Sequence, residues 1–400
     1  MLKIVYEDIH SYYYDPKFHG LDLHEKFTEA REKIAKAATK TDANLEIAAF
    51  VDLLNDSHTI FIPPSHSTRE EYGFVYQIVG TRCYVTQVRP GSDAEAKGLK
   101  PGDELLTLNG FTPDRGGLSK MQYVLNTLYP QTGLRLEIRE PSGRMRRVDA
   151  MAKARETPAI LNRTEMDAWK LRIDDENSRQ HEQPKYQEFG DPLMILKLSN
   201  FFFTNASIDT FMGKARKHNT LIVDLRGNPG GAQTTLLELL GRLFEQEVKI
   251  GDNVTRKKTV PMIAKGKRGS AFTGKLIVLV DSRSGSAAEI FSRAVQIEKR
   301  ATILGDLTSG KVMAARAYGH LVGEGPALFF ADMVSEADFV MTDGNSIENR
   351  GVTPDETMLP SNQDLRNGLD PVMARAAGMA GVTLTPEDAG KLFPYEWPKE

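Results

Sequence analysis

The run Lys275-Leu276-Ile277-Val278-Leu279-Val280-Asp281-Ser282-Arg283-Ser284-Gly285-Ser286-Ala287-Ala288-Glu289-Ile290-Phe291 passes from an apolar strand through a turn of small residues into a helix. A nearly continuous apolar strand, without polar alternation, is what a sheet covered on both faces demands. Ser286 and Glu289 together spell Ser-x-x-Glu, a helix capping box. The same serine stands at a helix N-terminus, where first-turn amides stabilise developing negative charge. The two roles compete for one hydroxyl, and a hydroxyl that attacks a carbonyl also needs a proton acceptor.

Outward from this run the texture repeats. Leu193–Leu198, Leu221–Leu225 and Ala301–Leu304 are further short apolar strands, alternating with helical segments at Ile208–Lys217, Thr234–Phe244 and Ala287–Gln296. Strands alternating with helices predict an α/β layer around a parallel sheet. After Leu221–Leu225 comes Arg226-Gly227-Asn228-Pro229-Gly230-Gly231. Adjacent glycines let backbone amides approach a ligand oxygen, as an oxyanion hole requires, although turn formers of this kind also make an ordinary strand-to-helix loop. Beyond Ala301–Leu304, Gly305-Asp306-Leu307-Thr308-Ser309-Gly310-Lys311 leads into the apolar Val312-Met313-Ala314. A lysine works as a base near neutral pH only if its pKa drops by about 3 units from about 10.4, which desolvation can supply.

Residues 67–155 read differently. Strand runs at Phe74–Val79, Cys83–Val88, Glu104–Leu108, Arg135–Arg139 and Arg146–Asp149 are separated by Pro90-Gly91, Pro101-Gly102, Asn109-Gly110 and Ser142-Gly143 turns. Such punctuation predicts a small β-barrel or sandwich, interrupted by helices at Asp93–Lys97 and Lys120–Leu128. The stretch from Arg89 to Gly110, with Pro-Gly-Ser, Lys-Gly-Leu, Pro-Gly-Asp and Asn-Gly in order, resembles a PDZ domain. That resemblance implies peptide binding by strand addition, with a terminal carboxylate held on backbone amides at Gly73, Phe74 and Val75. Residues 1–66 read as an N-terminal helical segment, with Leu23, Phe27, Ala30 and Ile34 at helical spacing and Thr59 to Ile62 a short strand. Residues 156–192 are polar and read as a connector, 193–360 as the α/β core, and 361–400 as a tail with a helix near Asp370–Ala380.

Composition narrows the function classes. The formal charge is −3, from 51 basic and 54 acidic residues, which gives no long-range attraction to nucleic acid. One cysteine, Cys83, excludes a disulfide framework and a cysteine zinc site within the chain. No apolar run approaches the ~20 residues of a membrane span. The eight histidines form no ligand-spaced cluster, so neither a metal nor another cofactor is expected. The glycines of 227–231 have the wrong spacing for a phosphate or dinucleotide loop.

Taken together, the PDZ-like module, Asp224-Leu225-Arg226-Gly227-Asn228-Pro229-Gly230-Gly231, Ser284-Gly285-Ser286-Ala287-Ala288-Glu289, Gly310-Lys311 and Glu348-Asn349-Arg350-Gly351 resemble the S41 family of serine peptidases. Those are the carboxyl-terminal processing (tail-specific) proteases and their tricorn-like relatives. The resemblance implies a ClpP/crotonase-like core with Ser286 as nucleophile and Lys311 as general base. It also implies an oxyanion hole from the amides of Ala287 and of Gly230 or Gly231. The chain departs from the processing proteases at Ala315, where a glutamine usually orients the lysine. Tricorn-like members instead use a histidine and a late glutamate, which His58 and Glu348 match, so two base systems stand open, with Lys311 the leading one. The expected activity is hydrolysis of polypeptides captured by their free C-termini, through an acyl-enzyme. A non-catalytic peptide-binding protein on the same scaffold is the competing reading, motivated by Ala315. Homo-oligomerisation stays open, and family resemblance points to a periplasmic or secreted protein although Met1–Asp8 has no signal-peptide pattern.

Overall fold

A computed structural model describes residues 1–64, 68–156, 183–323 and 328–397. At the N-terminus, helices Leu2–Tyr12, Leu23–Ala35 and Lys40–Asp52 precede strand β1 (Ile60–Ile62). The last of these helices starts on a full capping box between Thr39 and Asp42. Val5, Ile9, Tyr13, Ile47, Phe50 and Val51 bury one face of this layer against Phe330 and Val334.

Strand β2 (Thr68–Glu71) leads into a five-stranded antiparallel sheet of β3 (Phe74–Val79), β4 (Arg82–Val88), β5 (Glu104–Leu108), β6 (Gly133–Arg139) and β7 (Met145–Met151). The order is β3-β4-β5-β6-β7, so β3 is an edge strand, and β8 (Lys153–Glu156) pairs back onto β2. Helix Leu118–Tyr123 continues as a wider turn through Val124–Leu128. These bounds fall within two residues of the sequence reading because β3, β4, β5 and β6 each end on a Gly-containing turn.

The central six-stranded sheet contains β9 (Lys185–Phe189), β10 (Leu193–Lys197), β11 (Thr220–Asp224), β14 (Lys275–Val280), β15 (Ala301–Gly305) and β18 (Glu356–Thr357). Its order is β18-β15-β14-β11-β10-β9, parallel throughout except for β9. The two-residue period of a strand sorts the core: Met194 and Leu196 face one cluster, Leu193 and Ile195 the other. Helices Asn205–Ala215, Gln233–Gly241 and Ala287–Ile297 cover the first face; Pro371–Met379 and Pro386–Gly390 cover the second.

Two readings change. Most of the polar connector, 157–182, lies outside the described residues, but Lys185–Phe189 is strand β9 rather than linker. An edge strand shows half its surface to water and so tolerates a polar sequence. The second difference is an antiparallel sheet of β1, β12 (Val248–Thr255), β13 (Thr259–Ala264), β16 (Ala314–Val322) and β17 (Leu328–Met341). Consecutive strands pair in β12–β13 and β16–β17, but β1 and β12 each join β17 across long sequence distances, which no local pattern announces.

The Asp-Leu-Arg motif is structural. Asp224, 2% exposed, takes a two-pronged bond from Arg226, which also grips Asp370 at the start of helix Pro371–Met379, while Lys197 Nζ lies 3.3 Å away. Burial opposes the charge of Asp224, but these two cations hold its carboxyl well below the usual range. Arg226→Ala would leave a buried carboxylate short of its main partner. We expect it to lower unfolding free energy by about 3–5 kcal/mol in urea titration. A loss under about 1 kcal/mol, the value of a surface pair, would refute this role.

Candidate active site

Ligands of open α/β sheets bind outside the carboxyl ends of the strands. Here the loops that leave β11, β14 and β15 supply Gly230, Ser286 and Lys311 at that same edge. Ser286, at the β14-to-helix corner, has φ 51° and ψ −120°. Left-handed backbone at a non-glycine residue costs about 1–3 kcal/mol and persists only where surroundings over-determine it.

Glu289 is what over-determines it. Its carboxylate is fully buried and accepts from the amides of Ser286 (3.1 Å), Gly310 (2.7 Å) and Lys311 (2.8 Å), and from the hydroxyls of Thr308 and Ser309. Burial pushes its pKa up, and those donors oppose the rise. Lys311 returns the tie, its carbonyl accepting from Ser286 N at 2.8 Å. The sequence reading of Ser-x-x-Glu as a cap thus captures part of the role: the glutamate also staples the lysine loop to the serine corner.

Asn228 fixes the glycine loop. Fully buried, it donates through Nδ2 to the Leu198 carbonyl, and its Oδ1 accepts from the Gly230 amide, each at 2.8 Å. This corrects one oxyanion-hole assignment: the Gly230 N–H is already spent on Asn228. Among the described residues no hydrogen bond takes the amide of Ala287 or of Gly231. Gly230 still matters sterically, because a Cβ there would lie 2.5 Å from Ser286 Cβ.

His58 comes from the other side of the cleft, on the turn before β1. Asp56 shapes that turn by accepting from the His58 amide (2.8 Å), the Thr59 amide (2.7 Å) and the Thr59 hydroxyl (2.7 Å). Nδ1 of His58, 7% exposed, lies 2.6 Å from Ser57 Oγ, which lies 3.0 Å from Glu348 Oε2. Glu348 also accepts from the amides of Ser57 and Val312, both at 2.7 Å. Burial raises its pKa to about 7 despite those donors. The intermediary, Ser57, was missed in sequence as a functional residue; only its position beside His58 hinted at it.

One cavity of about 320 Å³ is lined by Ser286, His58 and Lys311 together, and by Gly73, Phe74 and Val75. Leu118, Ser119 and Gln122 form its wall opposite β3, so the groove between the edge strand and its helix opens onto the serine. Gly73 has φ +74°, and a Cβ there would meet Ser92 at 2.5 Å, so no other residue fits this loop. Contacts between Arg115 and both Asp306 and Leu307, and from Gly80 to Asp306, lock the small sheet to the lysine loop. Tyr395 and Trp397 of the tail also wall the cavity, Trp397 under the guanidinium of Arg89. Ala315 lies on β16 opposite Ser335 and offers Lys311 no hydrogen-bonding group.

Residues 193–358 match the family profile described as "Peptidase family S41". A PDZ domain profile matches residues 60–139. The tail-specific protease of Haemophilus influenzae is 22% identical over 356 residues, covering 84% of this chain and 48% of that protein. The carboxyl-terminal-processing protease of Picosynechococcus is 25% identical over 353 residues, covering 84% and 78%. The chain thus spans about half of the first relative and most of the second. Among solved structures, mature CPAF shares the fold with a TM-score of 0.67 at 15% identity, covering 91% of this chain and 93% of that one. The photosystem II D1 C-terminal processing protease gives 0.55 at 18% identity, covering 98% of both. The α/β S41 core with an appended PDZ domain is therefore the architecture.

Glu289→Gln tests the staple. An amide loses one acceptor oxygen and sets an N–H against the donors of the loop. We expect a stability loss of about 2–4 kcal/mol, because several buried donors lose their partner. A loss near 1 kcal/mol, the value of a helix cap, would mean that Glu289 only caps.

Proposed function

We propose that the chain is a serine peptidase that hydrolyses polypeptides through an acyl-enzyme on Ser286. The observation that carries this reading is the single cavity shared by Ser286, His58, Lys311 and the PDZ loop. In the proposed reaction, Ser286 Oγ attacks the carbonyl carbon and its proton passes to the base. The amides of Ala287 and Gly231 stabilise the oxyanion, the base protonates the leaving amine, and water releases the acyl group. The substrate's C-terminal carboxylate rests on Gly73, Phe74 and Val75, its chain lying along β3 towards the serine.

For the base we propose His58, with Glu348 as its orienter through Ser57. When Glu348 is ionised it can only accept, so the Ser57 hydroxyl donates to it. The Ser57 oxygen then accepts from Nδ1–H of His58, which leaves Nε2 with its lone pair. When Glu348 is protonated, the chain can reverse and place the proton on Nε2, where it blocks proton abstraction. The second reading keeps Lys311 as base, favoured by its loop being pinned to the serine corner. Its weakness is Ala315, which cannot orient an amine.

Ser286→Ala is expected to abolish both peptide cleavage and fluorophosphonate labelling while circular dichroism stays native. Absence of labelling in the wild type would favour a binding protein. His58→Ala is expected to lower the acylation rate by about 10²–10⁴-fold, and Lys311→Ala by much less. The reverse ranking would establish the lysine scheme.

A pH profile gives an independent reading. Because Glu348 must be ionised, and burial holds its pKa at about 7, activity is expected to rise as pH increases through about 7. Glu348→Gln should remove that limb and lower kcat by about 10²-fold or more. An unchanged profile in Glu348→Gln would sink the relay.

A further inference from the structure

Away from the cleft, Asp8 of helix Leu2–Tyr12, His320 of β16 and Asp332 of β17 converge on one point. Nε2 of His320 lies 2.8 Å from Asp8 Oδ2 and 3.1 Å from Asp332 Oδ1. One imidazole nitrogen carries a single hydrogen or a single lone pair, and its aligned bond goes to Asp332. Asp8 Oδ2 and Asp332 Oδ2 are both buried and make no hydrogen bond, and the Asp332 side chain is 1% exposed. A buried carboxylate oxygen left in this state is costly.

The charges do not balance either. Among the described residues the ion-pair partner of both carboxylates is His320, and nearby Glu7 adds further negative charge. A protonated imidazole compensates one carboxylate; the other needs a proton or a cation.

We propose that Asp8, His320 and Asp332 form a binding site for a divalent transition-metal ion, with zinc or manganese matching the one-nitrogen, two-carboxylate donor set. With bonds of about 2.1 Å, donors stand about 3 Å apart on an octahedral ion and about 3.4 Å apart on a tetrahedral one, so the 2.8 and 3.1 Å spacings around Nε2 lie nearer the octahedral case. The ion would displace the proton from Nε2 and bind neutral imidazole. Its place gives it a structural task. Asp332 stands opposite Phe61 in the β1–β17 ladder, three residues from His58, and further along β17 Ser335 donates to Asp56 in the His58 turn. The ion would therefore clamp the first helix to the sheet that carries the histidine turn. Sequence spacing hides this cluster, because Asp8 lies about 300 residues from the β16–β17 pair that carries His320 and Asp332.

The test is isothermal titration of the EDTA-dialysed full chain with zinc chloride and, separately, manganese chloride at pH 7.5, with melting temperature followed in parallel. The expected result is saturable binding of one ion per chain and a raised melting temperature. Asp8→Asn and His320→Gln should each weaken binding by about 100-fold or more. Absence of saturable binding of either ion would overturn the site and leave a shared proton as the answer. Binding that survives unchanged in both variants, each verified folded by circular dichroism, would place the ion elsewhere and overturn it equally.

Discussion

The Glu289 carboxylate is the interaction on which the catalytic edge depends. It is fully buried, yet it sits where amides of the β15 loop and of the serine corner all need an acceptor. Satisfying them forces the two loops together and holds Ser286 in a backbone conformation that an isolated chain would avoid. The cost of burying a charge is offset because almost every donor around it would otherwise be orphaned. Positioning of the nucleophile is thus a by-product of hydrogen-bond accounting in the loop beneath it.

A second layer of polar groups does similar work at a distance. Asn228 ties the glycine loop to the end of β10, and Asp56 ties the histidine turn to β17. Asp306 joins the small β domain to the core through Arg115 and the Gly80 amide. Each is a short side chain spending its oxygen on backbone amides or an arginine, which leaves little rotational freedom. The cavity they surround is accordingly built from three parts of the chain: the N-terminal layer, the PDZ domain and the S41 core.

Lys311 shows how little a local pattern says about a side chain's surroundings. Val312, Met313 and Ala314 suggested an apolar pocket around the amine. Val312 and Met313 are indeed buried, but the lysine's own backbone is occupied by Ser286 and Glu289, and its side chain borders an open cavity. His58 and Glu348 were paired in sequence only through the tricorn-like resemblance; the structure adds Ser57 between them, 291 positions from Glu348 in the chain. Of the two glycines offered for the oxyanion hole, Gly230 donates its amide to Asn228, which leaves Gly231 as the candidate.

By itself the sequence determined most elements of the central parallel sheet and of the small β domain, and their order. Apolar runs such as Leu276–Val280 can only be strands covered on both faces, and turns such as Asn109-Gly110 end strands because their backbone geometry allows little else. It also determined the corner at Ser286, since strand, small-residue turn and capping pair are all local signals. What only the tertiary structure decided is which distant groups share a proton or a cavity. The β1–β17 ladder, the Glu348-Ser57-His58 chain and the Asp8-His320-Asp332 cluster join residues whose separation leaves no periodic trace. Their meeting is set by sheet register and by the need to pair every buried polar atom, and both are properties of the packed chain rather than of any segment of it.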